Sequence, residues 1–184
     1  MEMPALQLLN DLKTMTQQHL QYAEHLMQQS EAKLNSRVSE DSWSVLECLE
    51  HLNRYGNFYI PEINRRMTSS KTSSATDFKP GILGNYFAES MLPKEKLNAM
   101  KTFKNMNPIH SQLDKNVVQE FIRQQKEWIE LLEKAKNVNL NKVKTNISIS
   151  KLIKLKLGDT FRFVIYHNHR HILQSQNVLK KSSH

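Results

Sequence analysis

The stretch that decides the fold is Phe163–Gln174, FVIYHNHRHILQ. His167, His169 and His171 occupy alternate positions in it. In a β-strand all three would share one face, because side chains alternate with period two. In an α-helix, at about 100° per residue, His167 and His171 lie roughly 40° apart and His169 faces elsewhere. The flanks choose between them. Leu157, Thr160, Val164, His167, His171, Gln174 and Val178 step by threes and fours, and Phe161, Ile165, Asn168, Ile172, Ser175 and Leu179 form a second seam beside them. Two such seams over about six turns predict a helix that buries one broad face. A strand leaves Ile172 to Leu179 unexplained. The helix turns His167 and His171 inward, with His169 and Arg170 pointing away.

Three more long helices are predicted upstream. Residues 5–34 carry Leu9, Leu12, Thr16, Leu20, Ala23 and Met27 at helical spacing, contain no Gly, and follow Pro4, which a helix tolerates at its start. The second helix opens on Ser44, with Glu47 three residues later. That is a capping box, in which the hydroxyl takes an orphan N–H and the carboxylate reaches back. Val45, Leu49, Leu52, Gly56, Tyr59 and Ile63 then form one stripe, and Pro61 is expected to kink the last turns. The third helix, residues 113–135, places Val118, Phe121, Trp128, Leu132 and Ala135 on one side.

The connections are long. TSSKTSSATDFKPG (68–81) reads as a polar loop and GILGNYFAESMLP (81–93) as one short helix, within a connection reaching Ile109. Connections of this length in a compact domain are functional or disordered. VKTNISISKLIKLKL (143–157) alternates but has no obvious partner strand, so residues 137–156 read as a connection crossing the molecule. Four long helices, two of the three connections long, predict one all-α domain over 1–184. The architecture expected is a four-helix bundle with long crossover connections rather than an up-and-down array.

Composition narrows the function. The 184 residues hold only four Gly and five Pro, which suits long helices. The single Cys excludes an intrachain disulfide and a Cys-based zinc module, and fits a reducing cytoplasm. No apolar run approaches the roughly 20 residues of a membrane span, and MEMPALQLLNDLK lacks the pattern of a signal peptide. A cytoplasmic location and no membrane partner are expected. The formal charge of +8 raises nucleic acid, but the lysines are dispersed without aromatic interleaving, so a solvated basic surface is the reading preferred.

His167 and His171 at i, i+4 form half a metal site. His51, midway along the second helix, is the candidate third ligand, because bundle sites take ligands from facing helices at similar depth. Three imidazoles leave a fourth position for water or substrate, the pattern of a catalytic site. The residues alone leave open the alternative of ordinary polar groups on a helix face. Glu47 is a candidate ligand or base already explained by its cap, and Gln174 could bond a ligand or substrate. Cys48 reads as a small buried helix residue and His19 as surface or rim. His25, His110 and His169 carry no argument. No H-E-x-x-H and no phosphate-binding loop is present.

WSVLECLEHLNRY (43–55) and FRFVIYHNHRHILQSQNVL (161–179) resemble the DinB-like (YfiT-like) superfamily of metal-binding four-helix bundles, with its WS..E...HL second helix and H...H..Q last helix. FKPGILGNYFAESM (78–91) is similar to that family's connection. The resemblance implies an up-down-down-up bundle, with His51, His167 and His171 as ligands of one divalent metal and Gln174 and Glu47 as candidates for a supporting role. It also implies a homodimer. Family members include thiol S-transferases that use bacillithiol- or mycothiol-type cofactors. The function expected first is therefore thiol S-transferase-type chemistry on a small-molecule substrate at a Zn or Ni site, with a low-molecular-weight thiol as cofactor. A metal-dependent hydrolase, a non-enzymatic metal-binding or stress-related bundle and, last, a nucleic-acid-binding bundle are the alternatives.

Overall fold

A computed structural model describes residues 2–93 and 102–181. Residues 94–101 of the long central connection, and the ends of the 1–184 domain, lie outside the described residues. The described chain is mostly helical: α1 (Ala5–Leu26), α2 (Glu31–Asn35), α3 (Val45–Thr68), α4 (Ile82–Met91), α5 (Asn116–Ala135) and α6 (Leu157–Lys181). Four short strands accompany them: β1 (Met3–Pro4), β2 (Asp77–Phe78), β3 (Lys144–Ile147) and β4 (Ser150–Lys156). Among the described residues no helix is long and apolar enough to cross a membrane.

The long helices α1, α3, α5 and α6 make the bundle, and cross-helix contacts give their directions. Lys13 pairs with Glu133 at 2.6 Å while Lys115 Nζ reaches the Met27 carbonyl at 3.0 Å, so α1 and α5 are antiparallel. Asn53 donates to the Val117 carbonyl and Gln124 to Asn57 Oδ1, so α3 and α5 run the same way. His51 meets His171 while Tyr59 meets Phe163, which makes α3 and α6 antiparallel. Neighbouring parallel helices oblige the chain to return the length of the bundle. The 69–115 connection does this between α3 and α5.

Several boundaries differ from the sequence expectation, each for a local reason. The first helix stops at Leu26 instead of Leu34, because the Ser30 hydroxyl accepts the Lys33 N–H and starts α2 afresh, which seats Leu34 in the core. The capping box of α3 forms as read: Ser44 N donates to Glu47 Oε2 at 2.8 Å and Glu47 N to Ser44 Oγ at 3.2 Å. This helix runs on through Pro61 to Thr68. α5 begins at Asn116 instead of Leu113, where Asp114 Oδ1 accepts the Asn116 N–H.

Residues 137–156 are not a plain crossing. β3 and β4 pair with each other as an antiparallel hairpin, Thr145 opposite Leu155, with an irregularity after Asn146. The hairpin escaped the sequence reading because its turn, Ser148-Ile149, has none of the Gly or Asn that ordinarily marks a two-residue hairpin loop. It is fastened to the bundle by Glu62, whose carboxylate accepts the Asn146 N–H at 2.8 Å, and by the Thr145–Thr160 hydroxyl pair at 2.6 Å.

Two apolar clusters fill the bundle. One joins Leu9, Leu12, Tyr59, Ile63, Trp128, Leu132, Phe161 and Ile165; the other joins Ala23, Leu26, Leu46, Leu49, Leu52, Val118, Phe121 and Ile172. Buried polar side chains stand between them in sequence on each long helix, including Thr16, His19, Asn53, Gln124, Gln125, His167 and Asn168. His19 is among these, 1% exposed and 3.4 Å from His169, so its expected rim position is corrected. Leu20 is half-buried, and the stripe of α1 passes through His19 instead.

The outward face of α6 is also covered. Asp159 accepts the Gly81 N–H at the start of α4, and Arg162 donates to Asn85 at 2.9 Å. A Cβ on Gly84 would lie 2.3–2.5 Å from Asp159 side-chain atoms, so this approach of α4 to α6 requires glycine. Arg170, expected to point away, is buried at 6% exposure.

Gly84→Ala should lower stability by about 2 kcal/mol through overpacking, a fall in Tm of roughly 4–8 °C for a domain this size. Calorimetry checks this, and an unchanged Tm would refute the close contact. Burial, with His169 beside it, lowers the His19 pKa from 6.5 to about 3. The unfolded chain therefore takes up this proton first as pH falls below 6.5, and stability present above that pH is lost on acidification. Between pH 7 and pH 5 this group alone accounts for about 2 kcal/mol. Urea unfolding at both pH values should show His19→Gln losing that much less than the parent protein.

Candidate metal centre

The centre forms where α3 crosses α6. His51 projects from the second turn of a helix whose start is fixed by the Ser44–Glu47 box. Glu47 also accepts two bonds of 2.6 Å from Arg37, which anchors the preceding loop to the same helix end. His167 and His171 come from successive turns of α6. One ring nitrogen of each and one of His51 all lie within 4.8 Å of one another. All three predicted histidines are brought together.

Hydrogen bonds set the orientation of two rings. His51 Nδ1 lies 2.7 Å from the Met106 carbonyl, which can only accept, so Nδ1 carries the proton and Nε2 presents a lone pair. His171 Nδ1 lies 2.9 Å from Gln174 Oε1, with the same consequence. His51 Nε2 and His167 Nε2 are 3.1 Å apart. Two nitrogens bound to zinc at about 2.0–2.1 Å in a tetrahedral site would stand about 3.3 Å apart. The buried His167 Nδ1 has no hydrogen-bond partner among the described residues. The donor set fits a divalent ion of borderline softness, and the three-histidine group could hold one.

Burial keeps these rings neutral. It lowers the His51 pKa to about 4, partly opposed by the Met106 carbonyl, and that of His171 to about 3, with His51 adding to the effect. Burial also takes His167 well below its ordinary value, followed by the charges of His171, His51 and Arg170. Near neutral pH none of the three rings is an imidazolium, so no charge-bearing second proton has to leave before a metal binds.

Aromatic rings flank the cluster. Trp43 packs on His51 and His171 at centroid distances of 4.8 and 5.4 Å, and its indole N–H donates to Asn107 Oδ1. Tyr55 packs on His167 and His51 at 4.6 and 5.0 Å. Neither residue was given a site role from the sequence; Tyr55 lies one turn beyond His51 on α3 and could have been found by helical spacing, whereas Trp43 precedes the helix and its cap. The Met106 carbonyl had no such signal, because a backbone acceptor leaves no trace in residue type. Met106 ends a single 3-10 turn held by Arg54, which reaches the Asn105 and Asn107 carbonyls at 3.3 Å.

The cluster opens into a cavity of about 840 Å³ between α3, α4, α6, the 102–109 segment and the hairpin tip. Its described lining is largely apolar and aromatic, and includes Tyr86, Phe87, Met91, Phe103, Ile149 and Phe163. The remaining candidates fall elsewhere. Glu47 is fully buried in its cap and its pair with Arg37, and burial pushes the Cys48 thiol up. His25 is exposed beside Gln29, and His169 contacts His19 on the far side of α6.

A family model described as the DinB superfamily matches residues 11–175. The chain belongs to that superfamily. Neither the curated proteins nor the solved structures give a significant match.

The hydrogen bonds predict the ring tautomers. In chelator-treated protein, long-range ¹H–¹⁵N spectra should show His51 and His171 protonated at Nδ1. Gln174→Leu should move His171 toward the Nε2–H form and leave His51 unchanged. An unmoved His171 would show that Gln174 does not fix its orientation.

Proposed function

We propose that the chain is a divalent-metal-dependent enzyme of thiol S-transferase type. The observation that carries this reading is the convergence of three neutral imidazole nitrogens, without a fourth protein ligand among the described residues, at the inner wall of an open cavity. A structural site would be closed by a fourth ligand, whereas a site meant for substrate keeps a position open.

His51, His167 and His171 would hold the ion, with Zn the first choice and Ni the second. Gln174 and the Met106 carbonyl would orient two of the rings, as acceptors behind ligating histidines commonly do. Glu47 would act at one remove, by fixing the end of α3 from which His51 projects. Bound there, the metal would lower the pKa of a thiol or a water occupying its open position. Trp43 and Tyr55 would exclude water from two sides. The cavity would receive a low-molecular-weight thiol and an electrophile bearing a leaving group. The sulfur–carbon bond would form as the bond from that carbon to the leaving group breaks. The leaving group would depart with the electron pair, and the thiol proton would pass to it or to solvent.

The second reading is a metal-dependent hydrolase. Its support is weaker, because a base must take a proton from water and Asp41 is the sole carboxylate among the described lining residues. Asp41 is exposed at the rim.

Elemental analysis of untagged protein, purified without chelator or nickel resin, should find about one equivalent of metal, and His51→Ala should retain little of it. Circular dichroism should show both proteins folded. Absence of metal from the folded parent protein, even after incubation with Zn or Ni salts, would overturn the proposal.

A further inference from the structure

One flank of the molecule keeps large apolar side chains in water. Ile82, in the first turn of α4, is 93% exposed, and Leu152 on β4 is 95% exposed. Leu83, Tyr86 and Ile149 stand with them, each about half exposed or more. The end of β4 adjoins the start of α4, where Lys156 Nζ reaches the Lys79 carbonyl at 2.6 Å. The hairpin tip and α4 meet again at the cavity, which Ile149, Tyr86 and Phe87 line together. The exposed apolar residues therefore lie along one flank. Scattered singly they would need no explanation, whereas a group of them marks a contact surface.

The charge among them says what the contact is. Residues 142–158 hold five lysines and no acidic residue. Alternation along β4 puts Leu152, Lys154 and Lys156 on its outer side, and the pairing of Lys144 with Lys156 puts Lys144 there too. Like charges directly opposite in a hairpin repel, and an anionic partner relieves that cost. Among acidic groups nearby, Asp159 is buried, Asp77 lies on β2 beside β1, and Glu89 stands at the far end of α4, 4.0 Å from Arg162. Nucleic acid would satisfy the lysines and leave Ile82 and Leu152 in water. A second copy in a two-fold contact would set the same lysines against each other. A bilayer with anionic headgroups accepts both features. Apolar side chains lodge below the headgroups, and each nearby lysine gains from the negative surface potential.

We propose that the outer face of the β3–β4 hairpin and the start of α4 dock on an anionic lipid surface. Ile82 and Leu152 enter the acyl boundary, and Lys79, Lys144 and Lys154 meet the headgroups. Because Tyr86 and Ile149 belong both to this face and to the cavity lining, docking brings the cavity to the lipid. No described helix can cross a membrane, and docking at the surface needs none. The absence of a membrane partner expected from the sequence thus concerns spans alone. The proposal goes beyond the enzymatic reading and does not rest on it.

Co-sedimentation of the full chain with vesicles tests this, using phosphatidylcholine alone and phosphatidylcholine with phosphatidylglycerol. Affinity for the mixed vesicles should be at least about tenfold higher, and should fall as salt is raised. Leu152→Asp should weaken it by about tenfold or more, and Lys144→Gln and Lys154→Gln by about fivefold each. An unchanged Tm shows that these exposed substitutions leave the fold intact. In Leu152→Trp, the emission added by the new indole should shift to the blue on binding and be quenched by lipids brominated in their acyl chains. Lack of binding by the parent protein, binding that survives Leu152→Asp, or an unmoved indole would overturn the proposal. Two further outcomes would also overturn it, each without vesicle binding. Single-stranded RNA bound through the same lysines would assign the face to nucleic acid, and a dimer that Leu152→Asp dissociates would assign it to a second copy.

Discussion

The structure depends on covering α6 on every side. Most helices of a bundle bury a stripe and leave the opposite face to water. α6 cannot, because Asp159, Arg162 and Arg170 are buried outside its apolar seams. Each polar group taken from water needs a partner or its burial is a net cost. Asp159 finds the N–H of Gly81 and Arg162 finds Asn85, so both bind α4 to the helix they stand on. The hairpin closes another side through Thr145 and Thr160. The apparently irregular connections are thus the shell of the last helix. Where that shell stands off from α3 and α6, the cavity remains.

The same burial fixes the state of the histidines. An imidazole in this environment is costly when charged, so His51 and His171 have pKa values of about 4 and about 3. A neutral imidazole still needs its N–H satisfied. One finds a side-chain amide on its own helix, and another finds a backbone carbonyl more than fifty residues along the chain. Once those bonds are made, the remaining lone pairs have nowhere to point except toward one another and the cavity. Polar satisfaction thus orients two of the three rings.

This also explains what could be read from residue types. The apolar periodicity of the four long helices, the Ser44–Glu47 cap and the spacing of His167 and His171 are local signals, and each appears in the fold. His51 could be paired with them because bundle helices share a depth scale, and similarity to known bundles pointed to the same triad. The hairpin was hidden by a turn without glycine, and the break at Ser30 by a side chain competing with the helix backbone. Arg170 and His19 were misplaced for a common reason. Periodicity identifies the apolar face of a helix, but says nothing of whether a later segment will cover the polar one. The covering elements, α4 and the partner face of α1, are tertiary facts.

Register then couples the fold to the site. α3 and α6 are antiparallel, and the layers that pair Tyr59 with Phe163, Tyr55 with His167 and His51 with His171 form one continuous ladder. A slip of one turn would shift one helix by about 5.4 Å against the other and would part the imidazoles while still burying aromatic rings. α3 is itself held at one height from outside the ladder. Gln124 sits against Gly56, where a Cβ would fall 1.8 Å from its side-chain oxygen, and bonds to Asn53 and Asn57 on either side of that glycine. The small residue and the amide that fills its place set α3 against α5 at one height. By contrast, the outer walls of the cavity come from α4, the 102–109 segment and the hairpin tip, which contribute no imidazole to the cluster. Substitutions there can reshape the cavity while the register that assembles the histidines stays in place.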